Sequence, residues 1–138
     1  MKKTFLLMLT CTLMSGQAFA QMRTLECNVD DRRRTAWIPD RLVIQHNIET
    51  ADVLISGPII FAFNDRRPIP GRVATDNKKR TTYTWTLKGV RNSQGQYAPN
   101  FTFRGTYLKT SKKFTITSRP GGYEDVFKGK GRCALRKG

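Results

Sequence analysis

The stretch Phe127-Lys128-Gly129-Lys130-Gly131-Arg132-Cys133-Ala134-Leu135 decides the fold of this 138-residue chain. Phe127, Gly129, Gly131, Cys133 and Leu135 fall on one side, and Lys128, Lys130 and Arg132 on the other. A period of two belongs to a β-strand, whose successive side chains point to opposite faces. Near the other end, Leu25, Cys27 and Val29 alternate in the same way with Thr24, Glu26 and Asn28. A disulfide between Cys27 and Cys133 would lay the first strand beside the last. A meander that returns to its own start closes on itself and removes its exposed edges.

Between these strands the pattern repeats. After Trp37-Ile38-Pro39-Asp40, Leu42 to Ile48 reads as a second strand, and Glu49-Thr50-Ala51-Asp52 as a tight connection into Val53-Leu54-Ile55. Gly57-Pro58 interrupts. Ile59-Ile60-Phe61-Ala62-Phe63 is a continuous apolar run too short for periodicity to assign, and a long connection, Asn64 to Gly71, follows it. Val73 to Thr75 turns at Asp76-Asn77 into the clearest strand, where Tyr83, Trp85 and Leu87 alternate with Thr82, Thr84 and Thr86. Beyond Asn92-Ser93-Gln94-Gly95, Phe101, Phe103, Gly105 and Tyr107 alternate with Thr102, Arg104, Thr106 and Leu108. Thr110-Ser111 leads into Phe114 and Ile116, and Pro120-Gly121-Gly122 ends that strand.

About eight strands separated by polar turns predict an all-β chain, namely a small antiparallel β-barrel with a first-strand to last-strand disulfide. A β-sandwich is the alternative. Gly105, Gly129 and Gly131 are expected at the bends that closure requires. The architecture is analogous to lipocalin-like barrels in shape alone, since no family fingerprint accompanies it.

Residues 1–20 read as a bacterial Sec-type signal peptide. Lys2 and Lys3 precede an apolar stretch from Phe5 to Met14, and Ala18-Phe19-Ala20 offers small residues before a cut at Gln21. The run is shorter than the roughly 20 residues that cross a bilayer, so no transmembrane segment is expected. Cys11 leaves with the leader. Cleavage as a lipoprotein before Cys11 is disfavoured by its approach, Met8-Leu9-Thr10. A single β-barrel domain over 21–138 remains, expected as a monomer in the periplasm or secreted, where Cys27 and Cys133 can oxidise.

Those 118 residues carry 23 Lys and Arg against 10 Asp and Glu, a formal charge of +13. The excess favours polyanions such as envelope glycolipid, anionic lipid or an acidic polymer. Its cations cluster at Arg32-Arg33-Arg34, Arg66-Arg67, Lys78-Lys79-Arg80, Lys112-Lys113 and the ladder Lys128, Lys130 and Arg132, whose members stand about 7 Å apart along one strand face. The ladder with Arg66 and Arg67 is the expected charged site, and Trp85, Phe61 and Phe103 are the expected apolar contacts. Solvated charge and core filling are the competing readings of the same residues. Trp37-Ile38-Pro39 is expected to plug one barrel end.

A catalytic role finds little purchase. His46 is the sole histidine, and a hydrolase would need it as a base oriented by Asp52 or Asp40. Pairing of Cys27 with Cys133 leaves no free thiol, the serines have no Gly-x-Ser-x-Gly elbow, and one histidine offers no transition-metal site. No cofactor or metal is expected. The expected function is a non-catalytic binding module for an anionic or amphiphilic ligand. The alternative is a periplasmic protein-binding module or inhibitor acting on an acidic partner. Nucleic acid is disfavoured because aromatics and cations fall on opposite strand faces.

Overall fold

The computed structural model describes residues 21–33 and 35–136; the expected leader and Arg34 lie outside the described residues. The element order is β1 Met22–Asp31, β2 Arg41–Asn47, β3 Val53–Ser56, α1 Pro58–Phe63, β4 Ile69–Asp76, β5 Arg80–Arg91, β6 Tyr97–Leu108, β7 Lys113–Pro120 and β8 Phe127–Arg136. All neighbouring strands are antiparallel, and β1 pairs with β8, so eight strands close into one barrel. The sandwich alternative is excluded by that closure. Four connections (β1–β2, β3–β4, β5–β6 and β7–β8) share the upper rim. The other three connections and the outer ends of β1 and β8 share the lower rim.

The disulfide lies where the alternation places it. Cys27 and Cys133 are register partners across the β1–β8 seam, with Cα atoms 4.0 Å apart. A bulge between Val29 and Asp31 shifts that register. At this point β1 comes so close to β8 that a Cβ on Gly131 would stand on the carbonyl oxygen of Asn28. Gly105 and Gly129 serve packing in the same way. Added Cβ atoms would meet the Phe114 ring at 2.6 Å and Ile38 at 2.7 Å, respectively.

The period-two faces sort into inside and outside. Tyr83, Trp85, Phe101, Phe103 and Phe114 are each 3% exposed or less. The Trp85 and Phe103 rings stack in parallel at 5.4 Å, and Phe101 lies 5.2 Å from Phe103. The rings thus fill the interior, as bulky aromatics in an eight-stranded barrel do.

The apolar run that periodicity left unassigned is α1. Pro58 at its start suits a helix, because its missing N–H has no intrahelical partner there. Ile59 and Ile60 are buried, and the helix lies against β3 and β5. It covers a gap in the ladder: β4 pairs through Ile69–Gly71 with β3 and through Arg72–Asp76 with β5, leaving the upper part of β5 without β4 beside it. The long connection is correspondingly shorter than expected, since β4 begins at Ile69. Trp37-Ile38-Pro39 closes the same rim. Ile38 is fully buried, and Trp37 packs on Phe101 at 5.1 Å.

Candidate functional site

Charge is divided unequally around the barrel. Residues 21–76, which supply β1 to β4, hold eight cations and eight carboxylates. Residues 77–136, which supply β5 to β8, hold fourteen cations against Glu124 and Asp125 alone, a balance of +12. Both of those carboxylates sit in the β7–β8 connection, so the four strands themselves contain no acidic residue. Half of the barrel is therefore a cationic wall.

The ladder is part of this wall. Lys128, Lys130 and Arg132 are exposed on β8, opposite Thr117, Thr115 and Lys113 of β7. Arg132 donates through Nη1 to the Ser111 carbonyl at 3.0 Å, which leaves its charge uncompensated. Among the described residues the ion pairs are Arg67–Asp65, Lys109–Asp76 and Arg136–Glu26. None of them neutralises the ladder, Arg104 or Arg119.

Strand register aligns the wall into rows. Arg72 of β4 stands beside Thr84 of β5, which stands beside Arg104 of β6, Thr117 of β7 and Lys128 of β8. In this row a cation occurs on every second strand with a threonine hydroxyl between, so the backbone positions of the cations stand roughly 9.6 Å apart at a strand spacing of ~4.8 Å. A groove of about 660 Å³ lies at one end of the row, where β4 parts from β5. It is lined by Arg72, Thr84, Trp85, Thr86, Lys88 and Thr102, with Phe63 at the end of α1 and Asn64 just after it. A second groove of about 260 Å³ lies at the other end, lined by Thr115, Thr117, Lys128, Lys130, Arg33 and Asp31. The row joins two grooves that each combine threonine hydroxyls with cations, the larger also lined by Trp85 and the smaller by Asp31.

The other expected residues separate. Arg66 and Arg67 follow α1, where Asp65 and Arg66 both take left-handed backbone (φ 51° and 59°) to turn the chain into β4. They lie on the charge-balanced half, and Asp65 accepts from Arg67 at 3.4 Å. Phe61 is 37% exposed on α1. Trp85 and Phe103 are core members; Trp85 nonetheless also lines the larger groove beside Arg72, and its buried indole N–H has no acceptor among the described residues. The turn clusters do not meet at one mouth: Arg32-Arg33 and Arg66-Arg67 are at the upper rim, Lys78-Lys79 and Lys112 at the lower. What gathers charge is the faces of β5 to β8, and the signal for it was the carboxylate-free composition of 77–123.

His46 is in the lower part of the barrel and 2% exposed, with its Nδ1 3.1 Å from the Tyr83 hydroxyl. Burial and the nearby Arg23 charge lower its pKa, while burial pushes the Tyr83 hydroxyl up to about 12. Thr81 donates to Asp76 at 2.9 Å, and Lys109 donates to the same carboxylate oxygen at 2.7 Å. The imidazole is thus held among buried and paired groups. Asp40 and Asp52, the proposed orienting carboxylates, are not its hydrogen-bond partners. Comparisons with known protein families, with characterised proteins and with solved structures find no match.

Proposed function

We propose that this chain is an exported, non-catalytic binding module whose β5–β8 wall holds an acidic polymer. The observation that carries the reading is the row Arg72–Thr84–Arg104–Thr117–Lys128, which crosses the carboxylate-free strands β5 to β8 and joins two grooves, the smaller of which also holds Asp31. Fixed cations alternating with hydroxyl donors offer charge-assisted hydrogen bonds to successive anionic groups. Curvature favours a polymer over a lipid or glycolipid surface. Five consecutive strands wrap about half of an eight-stranded barrel, a path a flexible chain follows and a flat bilayer does not. The exposed apolar residues, with Tyr97, Tyr123 and Val126 at the upper rim among them, also lie away from the middle of the wall.

A periplasmic or secreted location accords with a stable disulfide, which persists outside reducing compartments. A non-catalytic role accords with His46 being buried and bonded to Tyr83. The test is retention of the mature, oxidised protein on immobilised inorganic polyphosphate. The wild type is expected to bind at low salt and elute with added salt. The variant Lys128→Gln/Lys130→Gln/Arg132→Gln is expected to elute at clearly lower salt. Equal elution of the two proteins would remove the ladder from the site.

A further inference from the structure

At the upper end of the cationic wall the rim opens into an aromatic cleft of about 60 Å³. Trp37, Tyr97, Phe101, Tyr123 and Phe127 contribute rings to it, with Asn92, Gln96 and Asp125 as polar members, Asn92 donating to the Gln96 side-chain carbonyl at 2.6 Å. Tyr97 and Tyr123 are 47% and 42% exposed, so their ring faces are open to a ligand. They are nevertheless held in place. The Tyr123 hydroxyl donates to the Tyr97 carbonyl at 3.4 Å, and the Arg91 guanidinium lies 5.1 Å from the centre of the Tyr97 ring.

The cleft is joined to the wall through its own strands. Pro120 and Phe127 line it, and the residues next to them, Arg119 and Lys128, are exposed cations of β7 and β8. One residue of strand, roughly 3.3 Å, thus separates a cleft position from a wall cation on two strands. Lys128 also lines the nearer groove. The cleft and the groove are consecutive stations on one path over the rim.

We infer that the cleft seats a saccharide ring bearing an acidic substituent, so that the polymer held by the wall is an acidic glycan. The inference rests on the wall reading above and names its ligand class. Aromatic faces pack against the apolar C–H face of a sugar ring while its hydroxyls find polar neighbours. Gln96 and Asp125 supply a donor and an acceptor for those hydroxyls. The Asp125 charge turns the acidic substituent away from the cleft and toward Arg119 and Lys128. The shallow volume suits a ring laid across the rim within a chain, rather than a small molecule swallowed whole.

The experiment compares binding of inorganic polyphosphate with binding of an oligosaccharide panel of similar charge carrying carboxylated, sulfated or phosphorylated rings. Wild type is expected to bind at least one panel member about tenfold more tightly than polyphosphate. Tyr97→Ala/Tyr123→Ala is expected to abolish that preference while leaving polyphosphate affinity unchanged, and Tyr97→Phe/Tyr123→Phe to retain it. The inference is overturned if no panel member exceeds polyphosphate, or if the alanine variant keeps the preference. In that event salt-dependent polyphosphate binding leaves the wall reading standing. Glycan binding that ignores salt and survives Lys128→Gln/Lys130→Gln/Arg132→Gln would instead sink the wall reading and keep the cleft.

Discussion

Arg104 and Lys128 flank Thr117 in one cross-strand row, Arg104 on β6 and Lys128 on β8, and neither has a carboxylate partner among the described residues. Strand pairing fixes the backbone positions of the two cations on either side of a hydroxyl, so only their side chains remain to be ordered when an anionic ligand binds.

If position matters rather than total charge, two double variants of equal net charge must differ. Arg104→Gln/Lys128→Gln is expected to weaken polyphosphate binding about tenfold, roughly 1.4 kcal/mol. Arg66→Gln/Arg67→Gln, on the charge-balanced half where Asp65 pairs with Arg67, is expected to change it little. Titration of each variant at one salt concentration decides between them, and equal losses would reduce the wall to an unspecific field.

Cys27 and Cys133 are 106 residues apart in sequence. Linking them restricts the unfolded chain, an effect of about 4.7 kcal/mol for a loop of ~100 residues in the chain-entropy model. Cys27→Ala/Cys133→Ala should therefore lower the denaturant midpoint strongly while leaving strand content intact at low temperature. An unchanged midpoint would show that strand pairing alone holds the seam.

Gly131→Ala tests the same seam sterically. Its Cβ would fall on the Asn28 carbonyl oxygen, a backbone atom that cannot rotate away. A loss of about 3 kcal/mol, the upper end of ordinary overpacking costs, is expected from chemical denaturation. Wild-type stability in this variant would mean that β1 and β8 are not packed this closely.

His46 sets the pH dependence near neutrality. Its pKa is lowered in the folded state by burial first and then by Arg23. The unfolded chain therefore takes up a proton below about pH 6.5 before the folded one does, and stability falls as pH drops from there toward the folded-state pKa. Denaturation midpoints should be lower at pH 5 than at pH 7.5. Because His46 is the sole histidine, His46→Gln should flatten that difference. A midpoint that rises on acidification would contradict the burial of a neutral imidazole.

Most of the barrel was legible because its strands alternate cleanly and Cys27 and Cys133 name the two that must meet. The six-residue α1 was not legible: Ile59 to Phe63 is apolar throughout, and such a run lacks the length for a helical period to show. Lys128, Lys130 and Arg132 share an exposed strand face, as their spacing implied. Trp85 and Phe103 were expected as ligand contacts because inward rings are compatible with either a cavity or a core, and here they stack on one another. The row through Arg72 and Arg104 depends on the register of five strands. No single segment contains it, although a charge count taken separately for 21–76 and 77–136 announces its half of the barrel.

The most direct test of the cationic wall is the salt dependence of binding to a linear inorganic polyphosphate, measured by titration of the mature oxidised protein. Affinity is expected to fall steeply and log-linearly with salt, and Arg104→Gln/Lys128→Gln to make the slope shallower by about one to two units. A wild-type protein that fails to bind at low salt would contradict the wall reading, as would a slope that the two substitutions leave unchanged.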